Sequence, residues 1–252
     1  MAARAEEPMQ ADSRKRALML ERKLVPHEQI RQFDLFRELP DELIEEVRHN
    51  AWTISLKANE VLFRQNDAIR RSYFCLSGQV KLFRLTRTGS EKIFLIARPG
   101  DGLCDTISLK SERFHPLNAT AISDAEALSV DSEVVGDVFH RSQRARTQLV
   151  ESLVRRVDDL IDHVELLSVD KAHFRVASFL FNEYRRNGNK CSFRLNASKK
   201  YIASYISLQP ETLSRCLRTF RQDGIASSTN RDIRVHDPAR LEQLVLGIDE
   251  AA

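Results

Sequence analysis

Four side chains between Glu211 and Arg218 have the types and spacing to read a nucleic acid. Glu211, Ser214, Arg215 and Arg218 stand at i, i+3, i+4 and i+7, which is one face of an α-helix. An arginine guanidinium can donate two hydrogen bonds to guanine O6 and N7. A glutamate can accept one from cytosine N4, and a serine hydroxyl can do either. Glu211, Ser214 and Arg215 are therefore the candidate base-reading set. Lys199, Lys200, Arg218 and Arg221 flank it with the charge and reach for phosphate. A solvated helix with no partner would carry the same charges, so the surrounding elements must decide.

Those elements are legible. Leu213, Leu217 and Phe220 (i, i+4, i+7) form an apolar stripe on the opposite face. Pro210 suits the first helical position, where its missing N–H costs nothing, and Gly224 closes the helix. Upstream, Ser198 is placed to cap a helix that carries Ile202 and Ile206 inward. Ala203 is small enough for close helix approach, and Leu208 plugs the turn. Two helices on a tight turn make a helix-turn-helix. Residues 225–228 and 233–235, around Thr229–Asp232, predict a two-stranded wing in which Arg231 or Arg234 can touch phosphate. A last short helix carries Leu241, Leu244 and Val245.

Ahead of this lies a different periodicity. Val150, Leu153, Val157, Leu160, Val164 and Leu167 are spaced 3, 4, 3, 4, 3, with valine at every a position and leucine at every d. That combination favours a parallel two-stranded coiled coil and predicts a homodimer. Val154 and Ile161, at e positions, are expected to pack on the helix's own β-domain. After a hinge at 168–170 the helical pattern restarts, with Asp170 as N-cap and Phe174, Ala177, Phe181 and Tyr184 inward. Asn187-Gly188 ends it.

Between Trp52 and Val130 the texture is of short strands separated by turns: Ile54, Val61–Phe63, Tyr73–Leu76, Val80–Leu85, Ile93–Ile96 and Ala127–Val130. Thr88-Gly89-Ser90 and Pro99-Gly100-Asp101-Gly102 read as turns. Asn59 and Asn66 are candidates for positive φ, because the chain has only 8 glycines. Regular short strands suggest a closed β-roll. Two short helices precede it, one presenting Ile30, Phe33 and Phe36, the other starting near Pro40-Asp41 with Leu43, Ile44 and Val47. The expected organisation is α+β. An N-terminal arm (1–29) is followed by a β-roll sensor domain (30–140), a dimerisation helix (141–168) and a winged helix-turn-helix (169–252).

Composition narrows the class. Hydrophobic residues at 42% and charged residues at 30% are ordinary for a globular protein. No apolar run reaches the roughly 20 residues of a membrane span, and the polar N-terminus lacks a secretory core, so a cytoplasmic location is expected. A net charge of +3 does not by itself argue for nucleic acid. The four cysteines, Cys75, Cys104, Cys191 and Cys216, form no CxxC pair, disulfide framework or zinc site. No Ser/His/Asp or metal-ligand grouping has useful spacing, which speaks against an enzyme. An interaction module without DNA binding is opposed by the Glu211/Ser214/Arg215 face.

The order of β-roll, long dimer helix and winged helix-turn-helix resembles the CRP/FNR superfamily of bacterial transcription regulators over roughly residues 30 to 240. Its landmarks are Val61-Leu62-Phe63-Arg64-Gln65-Asn66-Asp67, Leu76-Ser77-Gly78-Gln79-Val80-Lys81-Leu82, Gly89-Ser90-Glu91-Lys92 and Pro99-Gly100-Asp101. The most specific is Gln209-Pro210-Glu211-Thr212-Leu213-Ser214-Arg215, similar to the E-x-x-S-R signature of the FNR-type branch. The resemblance implies a TTGAT-N4-ATCAA-like operator, with Glu211 and Arg215 reading its G·C pair and Ser214 a neighbouring thymine. It also implies double-stranded DNA and RNA polymerase as partners. The body of the β-roll and Leu208–Thr212 resemble most the Dnr-like nitrogen-oxide regulators.

The same comparison bears on the signal, expected to be redox, oxygen or a nitrogen oxide. Oxygen-sensing members hold an iron–sulfur cluster with an N-terminal cysteine group, whereas this chain has no cysteine before Cys75. Cyclic-AMP binders carry a glutamate after the Gly-Asp turn and an Arg-Ser pair further on. The matching stretches here read Leu103-Cys104-Asp105-Thr106 and Pro116-Leu117-Asn118-Ala119-Thr120, without the arginine that would pair a cyclic phosphate. Both ligands are disfavoured. Haem stays open, with Cys104, His115 and His27 as candidate ligands. Cys104 matches a thiolate position of a carbon-monoxide-sensing relative, but Thr106 replaces that relative's histidine. A ligand-independent or cyclic-nucleotide-responsive regulator of the same fold is the alternative. Cys216, beside Leu213 and Leu217, is expected to be a core thiol rather than a redox switch.

Overall fold

The computed structural model describes residues 25–103, 114–168 and 171–246. The arm residues 1–24, Cys104, Asp105, Thr106, Val169 and Asp170 lie outside these. Two helices open the described chain, α1 (His27–Arg31) and α2 (Asp41–His49), each following a proline at its N-cap. Strands β1 (Ala51–Leu56), β2 (Val61–Phe63), β3 (Arg71–Ser77), β4 (Val80–Leu85), β5 (Glu91–Ala97), β6 (Gly102–Leu103), β7 (Asn118–Ala121) and β8 (Ala125–Asp131) follow. One sheet runs in the order β1-β8-β3-β6. Its register pairs Ala51 with Val130, and Phe74 with both Leu128 and Gly102. β2 pairs antiparallel with β7. Helix α3 (Ser132–Arg141) is capped by Asp131, whose carboxylate accepts from the Glu133 N–H.

Turn chemistry holds the strands. Asn59 and Asn66 have φ of 70° and 68°, as their placement at turns without glycine predicts. Thr86–Ser90 closes the β4–β5 hairpin, with the Thr86 N–H donating to the Ser90 carbonyl at 2.8 Å. Gly78, at φ +72°, cannot be replaced at all cheaply: a Cβ there would lie 2.2 Å from the Asp124 carbonyl oxygen.

The core under the N-terminal helices is aromatic. Phe33 and Phe36 meet Phe74 of β3 at centroid distances of 5.1 and 5.0 Å. Ile30, Ile44, Val47, Leu128, Val130, Val135 and Phe139 join the same cluster. Leu149 of the next helix, α4 (Gln143–Ser168), is buried against it too. Further along α4 Leu166 is buried, but the heptad positions face outward. Val150, Val157, Leu160 and Val164 are 53–67% exposed, Leu153 is 39% exposed, and Leu167 is half-buried. Val154 and Ile161, at the e positions, belong to the same face. They are 55% and 59% exposed and widen the same outward stripe.

Helix α5 (Ala172–Arg186) begins after Lys171. Its inward face is Val176, Ala177, Phe179, Leu180 and Glu183, while Phe174, Phe181 and Tyr184 are only half-buried. Strand β9 (Ser192–Arg194), helices α6 (Lys199–Tyr205) and α7 (Pro210–Gln222), strands β10 (Ala226–Thr229) and β11 (Asp232–Val235), and α8 (Pro238–Val245) complete the chain. The wing is three-stranded rather than two-stranded, in the order β10-β11-β9. By contact density the chain divides into two units. One holds Met1–Val80 and Ala97–Ser152, the other Lys81–Ile96 and Leu153–Ala252, so the β4–β5 hairpin groups with the C-terminal elements. The architecture is α+β: a β-roll, a long helix and a winged helix-turn-helix.

Candidate nucleic-acid interface

The candidate reading face is built from the core outward. Pro210 sits at the first position of α7, and Leu213, Leu217 and Phe220 are buried at 2–6% exposure beneath it. This stripe locks the helix's rotation, so Glu211, Ser214, Arg215 and Arg218 are all exposed on the other side. Arg215 Nη2 donates to Thr212 Oγ1 at 3.3 Å, one turn back on the same helix. Glu211 lies in the first turn, and Gly224 at φ +68° ends the element.

Helix α6 crosses behind, with Ile202, Ala203 and Ile206 buried. Ser198 occupies its N-cap position but makes no capping hydrogen bond through its side chain, unlike the expectation. Leu208, half-buried, closes the turn and donates its N–H to the Ala203 carbonyl at 2.8 Å. The turn's Ser207 has φ +56°. Lys200, Arg218 and Arg221 are exposed. Lys199 is half-buried, its ammonium donating to the Ser228 hydroxyl of the wing at 3.0 Å. On the wing, Arg234 is exposed, Arg231 half-buried, and Asn230 turns the chain at φ +55°. Ser227 and His236 share a 2.8 Å hydrogen bond at its base.

Contacts to Ser207 have no sequence signature. Lys92 of β5 hydrogen-bonds to its hydroxyl, and Arg175 Nη1 donates to its carbonyl at 3.3 Å. Lys92 and Arg175 are remote in sequence from residues 198–224, and no periodicity singles them out.

The haem candidates fare differently. Cys104 lies outside the described residues. His27 Nε2 is bonded to the Glu45 carboxylate at 2.6 Å. His115 is 4% exposed, stacks on Phe63 at 3.8 Å, and has a buried Nδ1 without a hydrogen-bond partner. Burial pushes its imidazolium pKa down to about 4, so the ring is neutral at physiological pH. Nothing brings His27 and His115 together, and among the described residues no group of three His, Cys, Asp or Glu is placed to hold a metal ion. Two of the described thiols, Cys75 and Cys216, are held in the protonated, less reactive form by their environment. Burial pushes Cys75 up to about 12 and also raises half-buried Cys216.

Comparison with known proteins agrees with this geometry. Residues 174–244 match the model of the Crp-like helix-turn-helix domain, and residues 53–142 that of the cyclic nucleotide-binding domain. The chain is similar to the transcriptional activator protein Anr of Pseudomonas protegens, 30% identical over 76% of this chain and 80% of Anr. It is also similar to the fumarate and nitrate reduction regulatory protein of Escherichia coli, 26% identical over 75% of this chain and 76% of that protein. Among solved structures, FixK2 from Bradyrhizobium japonicum superposes with a TM-score of 0.69 at 27% identity, over 80% of this chain and 98% of FixK2. These relatives are regulators rather than enzymes, and no described helix is long and apolar enough to cross a membrane. A β-roll, a long helix and an arginine-bearing recognition helix on a winged head, matched by such relatives, are one assembly: the chain belongs to the CRP/FNR family of transcription regulators.

Proposed function

We propose that the protein acts in the cytoplasm as a homodimeric activator that reads a palindromic TTGAT-N4-ATCAA-like operator. The carrying observation is the exposed set Glu211, Ser214 and Arg215, fixed in rotation by buried Leu213, Leu217 and Phe220. Arg215 and Glu211 take the G·C pair and Ser214 the adjacent thymine. Lys200, Arg218 and Arg221 take phosphate, and Lys199 does so while braced by Ser228. The outward stripe on α4 supports the dimer, since an apolar face of this length is stable only against another. A parallel dimer sets its two recognition helices roughly 34–36 Å apart, one DNA turn, which matches a two-fold operator. RNA polymerase is the partner an activator of this kind engages.

Fluorescence anisotropy with the operator and its single-base variants tests the reading. Arg215→Ala is expected to cost about 1–3 kcal/mol and to relax discrimination at the guanine, while Lys199→Ala weakens all sequences alike. Retained guanine discrimination in Arg215→Ala would reject the assignment.

For the signal we propose a redox, oxygen or nitrogen-oxide input. Among the candidate haem ligands His115 has the fitting chemistry, a neutral imidazole with an orphaned nitrogen, whereas the His27 nitrogen is spent on Glu45. A bound haem would supply an iron that takes up diatomic gases. The absorption spectrum of protein purified without oxygen is the test. A Soret band lost in His115→Ala supports this input, and a featureless spectrum leaves a regulator that works without haem.

A further inference from the structure

The β4–β5 hairpin grips the first helix and the turn of the helix-turn-helix. Ser204 Oγ of α6 donates to the Glu91 carbonyl at 2.8 Å, and the Lys92 ammonium donates to the Ser207 hydroxyl. Beneath them Lys81, its side chain only 7% exposed, pairs with Glu91 and lies 5.0 Å from the centre of the Tyr201 ring. The hairpin thus meets α6 through a buried cation, a backbone carbonyl and an ammonium group.

Ser207 is the point of interest. Its φ of +56° is in the left-handed region, which strains a residue bearing a Cβ. Turns between such helices often use glycine for that reason. A strained residue persists only where its surroundings over-determine it. Here two cations converge on it, Lys92 on the hydroxyl and Arg175 on the carbonyl. Burial and the Arg175 charge lower the Lys92 pKa, so the ammonium occupies this place against its own solvation. The grip leaves the reading face open, because Lys200, Glu211, Ser214, Arg215 and Arg218 are all exposed with the hairpin in place. It therefore supports reading rather than blocking it.

We propose that Lys92 is a positioning residue for operator recognition, holding the left-handed Ser207 turn that sets α7 against α6 in place of the glycine such a turn would otherwise need. This rests on the DNA reading proposed above. Lys92 touches no base. It acts through the turn.

The experiment is operator and scrambled-duplex binding by the full-length protein. The variants are Lys92→Ala, Lys92→Met (which keeps the stem), Ser207→Ala, Ser207→Gly and the pair Lys92→Ala with Ser207→Gly. Loss of one partly exposed charged hydrogen bond predicts roughly three- to tenfold weaker operator binding in Lys92→Ala, Lys92→Met and Ser207→Ala. Scrambled-duplex binding should move far less. The decisive comparison is in the glycine background. There the turn needs no holding, so adding Lys92→Ala should produce no further loss. Lys92→Ala binding as well as or better than wild type would overturn the proposal. So would an equal Lys92→Ala loss with and without Ser207→Gly, or an equal loss on scrambled duplex, which would make Lys92 a phosphate contact. A wild-type protein that does not prefer operator over scrambled duplex would instead reject the DNA reading itself.

Discussion

Single residues in this protein carry functions that their neighbours make available. Arg215 is useful because Leu213 and Leu217 are buried on either side of it in sequence, which leaves the guanidinium no direction but outward. His115 shows the converse, a polar ring driven inward. Its pKa falls from 6.5 to about 4 through burial, and burial also lowers that of His163, whose Nε2 faces the Tyr205 carbonyl at 3.1 Å. The native state therefore binds fewer protons than the unfolded chain below about pH 6.5. Stability from these rings is complete above that pH and is lost as pH falls, for His115 toward 4. For His115 the full loss is roughly 3 kcal/mol. Urea unfolding of the ligand-free protein between pH 7.5 and 4.5 should show the midpoint dropping with acid. His115→Phe, which keeps a ring for Phe63 to stack on, should flatten that drop, and an unchanged acid slope would contradict this account.

Among the elements, α4 has the clearest obligation. Its first turns bury Leu149 against the aromatic core, but between Val150 and Val164 its apolar residues face solvent in a stripe that includes Val154 and Ile161. A seam of valine at a and leucine at d leaves few arrangements besides a second copy of the helix. Leu160→Glu places a carboxylate on each side of that seam. The dissociation constant of the dimer is expected to rise by roughly a hundredfold or more, read by sedimentation velocity. A Leu160→Glu protein that stays dimeric would move the interface off α4. On the proposed palindromic operator, affinity should fall as dimerisation is lost, because a lone recognition helix would hold only half the site.

At the scale of the whole molecule, regular patterns were readable and irregular ones were not. The helix-turn-helix and the principal roll strands follow from strict periods because burial on one side imposes them, and the heptad stripe from a period of its own that stays exposed. Strands β6 and β7 escaped, one being two residues long and the other the small-residue run Asn118–Ala121, where alternation is too weak to register. Helix α3 escaped because its ten residues carry Gly136 at mid-length and begin directly after a strand. On α5 the aromatic residues drew attention that the 3.6-residue period assigns to Val176, Phe179 and Leu180. The exposed face of Glu211, Ser214 and Arg215 is legible because one helix contains it. The grip on Ser207 was not, because it depends on Lys92 and on a φ value, neither of which leaves a trace in residue order.

In the proposed dimer, the outward stripe of α4 also makes abundance a variable of the response. When most of the protein is monomeric, the dimer population grows with the square of monomer concentration, so a twofold rise in synthesis yields about a fourfold rise in operator-competent dimer. Promoters with weak operators would then respond to gene dosage and protein turnover. Cells that keep the monomer near its association threshold gain a switch from synthesis rate alone.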